Sequence, residues 1–362
     1  MDEQRNRIQA ADSSNAGGVD HMVQTTETAG QTWHKEGITI DKDAMPTTRQ
    51  EIAETVFPAE IPEDCETPYC DTSYWGIVKS PVQTSGDPSV LSDDSVICLP
   101  QVTIPKLYVL QRTDTGGVVG ECGERYDALQ PIEMCALAEP WTMSGKAHLE
   151  TAGVLHGGRK AWLQMRLDGL EADIVPGDAI KRFVSICSGF DGLTATHHDD
   201  GEDRICCQNT LQHATDKMDV GRSVRHTRDQ RIKLANISEE LLRQAQIFEE
   251  VCETYRAMAR HAMSSASEIE YLYNVFSVPS DRRDIGKAPK AVLECLALGA
   301  SGLGSDIPGV QGSLWGSYNS VTEYVGYRNG RTSARRAEQE RFGTGKGISE
   351  RAFDVAFQLI DA

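Results

Sequence analysis

Residues 228–263, RDQRIKLANISEELLRQAQIFEEVCETYRAMARHAM, decide the fold that the sequence predicts. Apolar side chains recur along this stretch at intervals of three or four residues, which places them on one side of a single helix. At about 1.5 Å per residue, that helix would be about 50 Å long. It needs a broad apolar surface to cover. Its apolar positions are Leu234, Ile237, Leu241, Ala245, Phe248, Cys252, Tyr255 and Ala259.

The segments before this helix predict the surface that it covers. Short apolar runs between residues 107 and 211 are separated by turn clusters at 113–117, 157–158 and 199–201, which is typical of antiparallel hairpins. A helix is expected from residue 131 to about 141, with Pro131 in its first turn. We therefore predict an α+β fold: a curved antiparallel sheet of hairpins covered by one long helix, followed by a C-terminal helical part.

Composition divides the chain into four regions. Residues 1–30 are polar and are expected to form a disordered arm, and residues 31–106 are acidic, rich in proline and irregular. Residues 107–264 hold the sheet and the long helix, and residues 265–362 form the helical region. Within residues 31–106, Thr48 and Glu51 predict a capped helix at 48–55.

Charge and cysteine content limit the possible function classes. The 362 residues carry a net charge of −18, which argues against strong nonspecific binding of DNA by the whole surface. No apolar run reaches the roughly 18 residues of a membrane helix, and no secretory signal is apparent. We expect a cytoplasmic protein that does not enter a membrane. Its ten cysteines are expected to be reduced, since Cys65 and Cys70 lack a second pair for zinc.

Several short motifs together resemble one known family. They are 32–34 (TWH), 109–116 (VLQRTDTG), 150–153 (ETAG), 158–160 (GRK), 207–211 (CQNTL), 224–227 (VRHT) and 314–325 (LWGSYNSVTEYV). The chain resembles the phage/plasmid-like family built on the domain of unknown function numbered nine-three-two, which phages, prophages and conjugative plasmids carry. This resemblance implies a role in handling mobile DNA. The sheet-plus-helix outline is also similar to phage single-strand annealing proteins, which implies single-stranded DNA as partner and a homo-oligomer.

Basic residues near the start of the long helix and on the hairpins predict a nucleic-acid groove. Phosphate contacts there would release counterions, and Trp162, with Tyr126, would offer a ring for base stacking. The alternative is that these are surface cations paired with the many carboxylates of the chain. The predicted groove residues are Arg159, Lys160, Trp162, Lys181, Arg182, Arg222, Arg225, His226, Arg228 and Arg231.

A second group of motif residues is expected to have a structural or interface role. Trp315 and Tyr318 share one face of a predicted helix, while Asn319 and Glu323 lie one turn apart on another face. This pattern favours a packed aromatic face in the core or at a subunit contact. Asn209 is expected to cap a helix that begins at Thr210.

Neither a cofactor nor a catalytic constellation is expected. The run 197–203 (HHDDGED) resembles a metal box, but a solvated hairpin turn is favoured. Residues 343–347 (GTGKG) depart from the phosphate-loop pattern and are interpreted as a linker. Two alternatives to DNA binding remain open: an acidic protein that modulates a host or phage partner, and a metal-dependent nucleic-acid enzyme that uses His198 and Asp200.

Overall fold

A computed structural model describes residues 37–40, 45–60, 73–83, 88–90, 96–98, 102–204, 209–211, 223–234 and 247–361. Its architecture is α+β, which confirms the predicted fold class. In this part of the chain no helix is both long enough and apolar enough to cross a membrane.

The centre of the molecule is a seven-stranded antiparallel sheet. Its strands are β1 (Ile38–Thr39), β7 (Ala147–Leu155), β8 (Lys160–Val175), β9 (Asp178–Gly189), β10 (Thr196–Arg204), β11 (Asn209–Leu211) and β12 (Ser223–Val224). They lie in the order β1-β7-β8-β9-β10-β11, and β12 pairs with β10. The β8–β9 hairpin is the longest, and its register shifts near Arg166 and Asp173 bend it.

A smaller sheet and two helices pack on one end of this sheet. The smaller sheet contains β2 (Ile77–Gln83), β5 (Thr103–Arg112) and β6 (Val118–Gly123), and β3 (Pro88–Val90) and β4 (Val96–Cys98) form a separate two-stranded sheet. The helices are α1 (Arg49–Val56) and α2 (Pro131–Met143). Thr48 and Glu51 form the predicted capping box of α1. Met134, Cys135, Ala138 and Trp141 of α2 share one core with Leu149, Ala152, Leu163 and Met165 of the sheet.

A second core lies at the far end of the β8–β9 hairpin. Its helices are α3 (Ile247–Arg260), α4 (Ser265–Val275), α5 (Lys290–Ser301), α6 (Leu314–Glu323) and α8 (Thr344–Ile360), while α7 (Ser333–Phe342) belongs to a separate small core. A π-helical turn (Tyr324–Arg328) follows α6. Ile174 and Ile180 of the hairpin belong to the second core with Phe248, Tyr255 and Met258 of α3. The C-terminal helices therefore cover the sheet together with α3.

The predicted long helix is present in part. Residues 230–234 and 247–260 are helical, while residues 235–246 lie outside the described residues. The helix ends at Arg260, short of the predicted end at residue 263. The chain there turns to pair its backbone with another segment, since Met263 N donates to Gly312 O at 2.8 Å. The other end of the sheet is covered by α1 and α2.

Three local predictions are wrong. Strand β10 continues through residues 199–201, which were expected to form a turn. Residues 209–211 form strand β11, so Asn209 does not cap a helix beginning at Thr210. Residues 344–347 belong to helix α8 and are not a linker. In each case a neighbouring element overrides the local preference, because sheet pairing and packing outweigh turn propensity.

Candidate nucleic-acid interface

The first predicted cations, Arg159 and Lys160, lie at the turn between β7 and β8. A single 3-10 turn (His156–Gly158) joins these strands, and Leu155 pairs with Lys160 across them. Arg159 is exposed, and its Nε donates to Val119 O at 2.8 Å. The tight turn therefore holds two adjacent cations at the end of the hairpin.

Helix α7 lies against this end of the hairpin and adds more cations. Ala337 of α7 is buried in a small core with Leu155, Trp162 and Cys187, while Ala334 and Phe342 pack at its edge. Thr332 caps the helix by accepting from Arg335 N at 3.2 Å. Ala334 and Ala337 face the sheet, whereas Arg335 of the same helix is exposed and Arg336 is half-buried. Arg328 and Arg331, just before the helix, are also exposed.

One carboxylate, Glu338, serves several of these cations. Its oxygens accept from Lys160 Nζ at 2.9 Å and from Arg335 Nη1 at 2.7 Å, and His156 Nε2 is 3.6 Å away. Burial alone would raise the pKa of Glu338, but the hydrogen bonds from Lys160 and Arg335 outweigh burial and lower it to about 2. Glu338 therefore stays ionised at neutral pH.

We call this surface the basic face. It consists of the six cations Arg159, Lys160, Arg328, Arg331, Arg335 and Arg336; Glu338 is shared by Lys160 and Arg335, and Arg328 lies close enough to Glu323 for its charge to offset part of the burial that raises the pKa of that carboxyl. Two further carboxylates lie beneath it: Asp191 is 8% exposed and Glu340 is 5% exposed. Asp191 already accepts from Leu193 N and from the Thr194 amide and hydroxyl. The face is thus locally positive on a chain whose net charge is −18.

Trp162 and Arg182, two of the predicted groove residues, are fully buried, so those predictions are wrong. Trp162 is 0% exposed and lies against Gly153. The guanidinium of Arg341 lies over its ring, 5.0 Å from the ring centroid. Arg182 is also 0% exposed and donates to Glu202 Oε1 at 2.6 Å. Both faces of the sheet are covered at these positions, so neither side chain can reach a nucleic acid.

Lys181 and Arg231 are neutralised by carboxylates, as the alternative interpretation expected. Lys181 is paired with Glu150. Arg231 donates to Glu133 at 2.5 Å and to Asp127 at 2.7 Å, and these hydrogen bonds raise its pKa. These hydrogen bonds attach the start of the 230–234 helix to α2 and to the loop that precedes α2.

The rest of the 222–228 segment has mixed outcomes. Arg222 lies outside the described residues, while Arg225 and Arg228 are exposed. His226 is 5% exposed and stacks on Tyr126 with centroids 5.0 Å apart, so its predicted contact with nucleic acid is wrong. Burial lowers the pKa of His226, which favours the neutral ring. Tyr126 is engaged by this stack and does not offer a free ring face on that side.

The motif residues of α6 line the interior. Trp315 and Tyr318 are 0% exposed, and they stack among the aromatic rings of the second core. Asn319 Nδ2 donates to Trp315 O at 2.8 Å, and Glu323 Oε2 accepts from Leu303 N at 3.0 Å. Burial raises the pKa of Glu323 despite this hydrogen bond. These four residues organise the core and the 302–304 loop.

A buried ion pair ties α6 to the sheet. Arg204 of β10 donates to both oxygens of Asp178, at 2.6 and 2.7 Å, and Trp315 Nε1 donates to the same carboxylate at 2.8 Å. Arg204 also donates to the carbonyls of Leu303 and Gly304. The network is closed within the protein, which indicates a structural role.

Sequence reasoning missed the arginines of 328–336. Their spacing, with four arginines within nine residues, was the available signal. Within the described residues, no group of three His, Cys, Asp or Glu side chains is placed to hold a metal ion.

The fold and this surface define an α+β protein with a locally basic face on an acidic chain. The family described as "Domain of unknown function (DUF932)" matches residues 118–343, and the chain belongs to this family. The matched range includes the central hairpins, the α6 motif and α7. Searches of curated proteins and of solved structures found no significant match.

Proposed function

We propose that the chain binds single-stranded DNA through the basic face, as an oligomeric, non-enzymatic protein of mobile-element recombination. The observation that supports this proposal is the sharing of one carboxylate, Glu338, by two of the six cations, Lys160 and Arg335. Against a net charge of −18, such a concentration of positive charge is suited to a polyanion.

The proposed contacts are to phosphates. Phe342 lies at the edge of the face, and other side chains already contact its ring. Lys160 Nζ is 5.2 Å from the ring centroid, and the His197 ring packs edge-on with its centroid 5.3 Å away. With Trp162 buried as well, base stacking contributes little here. Binding through phosphates alone is independent of sequence and strongly salt-dependent.

The choice of strand rests on the resemblance to annealing proteins. A flexible single strand can follow a short, curved set of cations more closely than a stiff duplex can. Annealing in recombination and assembly into a homo-oligomer follow from the same resemblance. Preferential binding of duplex DNA would therefore overturn the annealing part of the proposal.

A salt titration tests the proposal. Fluorescence anisotropy of a labelled oligothymidylate should give a slope of log affinity against log salt of roughly −3.5, since Glu338 neutralises about one of the six cations and each of five contacts to a single strand contributes about −0.7. The triple variant Arg331→Ala, Arg335→Ala, Arg336→Ala removes three contacts and should reduce the slope to roughly −1.5. Sizing with and without the oligonucleotide should show a larger particle on DNA.

A second triple variant provides a matched control. Arg260, Arg282 and Lys287 are exposed cations of other surfaces, and their replacement by Ala removes the same charge. This control should keep the slope within about one contact of the wild type. Equal weakening by both triple variants would show that only net charge matters, and the basic face would lose its assigned role.

A further inference from the structure

A pocket lies at the opposite end of the β7–β8 hairpin from the basic face. Its volume is about 440 Å³ and its lining is mostly apolar. Lys160 pairs with Leu155 at one end of the hairpin and His148 pairs with Arg166 at the other. Seven residues of extended chain between them span about 23 Å. The pocket is therefore separate from the proposed DNA contacts.

The walls of the pocket are held in place by contacts within the protein. Thr142 Oγ1 of α2 donates to Thr47 O at 2.6 Å, which fixes the segment containing Met45 and Pro46 against the helix. Asp168 N donates to Lys146 O at 3.0 Å across the base of the hairpin. A fixed apolar cavity of this volume falls within the range of small-molecule sites.

Three polar side chains converge on the pocket. His148, Arg166 and Asp168 all line it. His148 Nδ1 lies 2.9 Å from Asp168 Oδ1, so the carboxylate orients the ring; when the ring is doubly protonated, Nδ1 donates to Asp168 and Nε2 can donate to a ligand.

Arg166 is also available to a ligand, although it is paired with Glu171. The Glu171 side chain is 43% exposed, so the pair lies near the surface, where ion pairs contribute little. A guanidinium has five N–H donors, so one carboxylate partner does not exhaust it. The planar fork of Arg166 can therefore receive a second carboxylate in the pocket.

We infer that this pocket binds a small organic acid. Its carboxylate accepts from Arg166 and from Nε2–H of the protonated His148 ring, and its apolar body lies against Met45, Pro46 and Ala147. The apolar wall contributes affinity through burial, while the two donors select the anion over a neutral analogue. No function of the basic face is needed for this site.

Fluorine NMR tests this inference with para-fluorobenzoate as the probe. The acid should bind the full-length protein, and its neutral isostere para-fluorobenzamide should bind at least about tenfold more weakly, as expected when a charge-assisted hydrogen bond is lost. Arg166→Gln and His148→Gln should each weaken binding of the acid by about the same factor. Arg166→Lys keeps the charge without the fork and should give an intermediate loss.

The variant Arg335→Ala is the control for binding at the basic face, and it should bind the acid as the wild type does. Equal binding of the acid and the amide would overturn the inference, as would the absence of acid binding. The comparison of the two probes on the wild-type protein decides the matter even if a pocket variant fails to fold. Acid binding that survives both pocket variants would place the probe elsewhere and also overturn it.

Discussion

Glu338→Gln is expected to tighten DNA binding, although it removes a hydrogen-bonded ionic group. Glu338 accepts from Lys160 and Arg335 on the basic face, and its pKa of about 2 keeps it negative at neutral pH. Glutamine removes that negative charge and releases roughly one cation for a phosphate. At about −0.7 per contact, affinity should rise about eightfold near 50 mM salt and about threefold near 200 mM.

The stability of the protein should change in the opposite direction. Partly exposed ion pairs contribute up to about 1 kcal/mol, so Glu338→Gln should lower the free energy of unfolding by roughly that amount. Urea denaturation measures this loss, and anisotropy with the oligothymidylate measures the affinity. A gain in affinity together with a loss of stability distinguishes an effect on the face from a general effect on folding.

Glu253→Gln on α3 is the matched control. Glu253 also pairs with arginines, with Arg256 at 2.7 Å and with Arg260 at 4.0 Å, but it lies on a different surface. The substitution Glu253→Gln removes the same charge as Glu338→Gln and should leave the affinity for DNA within about twofold of the wild type. If Glu338→Gln does not tighten binding, or if Glu253→Gln tightens it equally, then the phosphate contacts do not lie at Glu338.

Three further predictions concern the interior. Burial holds the pKa of His226 below its ordinary 6.5, so the unfolded chain takes up this proton at a higher pH than the folded protein does. The contribution of His226 to stability is therefore complete above pH 6.5 and is lost as the pH falls below that value. His226→Asn should remove that part of the pH dependence in melting curves measured against the wild type. Glu202→Gln removes the negative charge that accepts from the fully buried Arg182, and it should cost about 3–5 kcal/mol in urea denaturation, whereas a loss under about 1 kcal/mol would contradict a tightly coupled buried pair there. In Gly153→Ala the new Cβ would lie 2.1 Å from the Trp162 ring, so a loss of about 1–3 kcal/mol is expected, and an unchanged denaturation midpoint would show that the ring can move.

Local patterns predicted much of the secondary structure. The glycine pair at 157–158 predicted the turn between β7 and β8, and the structure gives both residues positive φ. The capping box at Thr48 predicted α1, and Pro131 predicted the start of α2. Each of these signals acts within a few residues, which is why sequence alone was sufficient for them.

The failures share one cause. Trp162 and Arg182 were predicted to face one groove, but Trp162 pairs with Cys187 and Arg182 lies five residues from Cys187 on β9, so the two side chains are on opposite sides of the sheet. Helices from far along the chain cover both sides: Arg341 of α7 donates to Gln164 across 177 residues on the Trp162 side, and Tyr255 of α3 donates to Glu202, the partner of Arg182, on the other. A residue pattern in one strand carries no information about which distant helix will lie on it.

The sequence by itself determined the class of fold, the hairpin turns, the caps of the helices and the acidic balance of the chain. Tertiary structure alone decided which cations stay on the surface and which are buried or paired. The carboxylate partner of Lys160 is Glu338, which lies 178 residues later in the chain. Ion pairing acts over a few ångströms of space and is independent of separation along the chain, so only the folded arrangement could bring the basic face together.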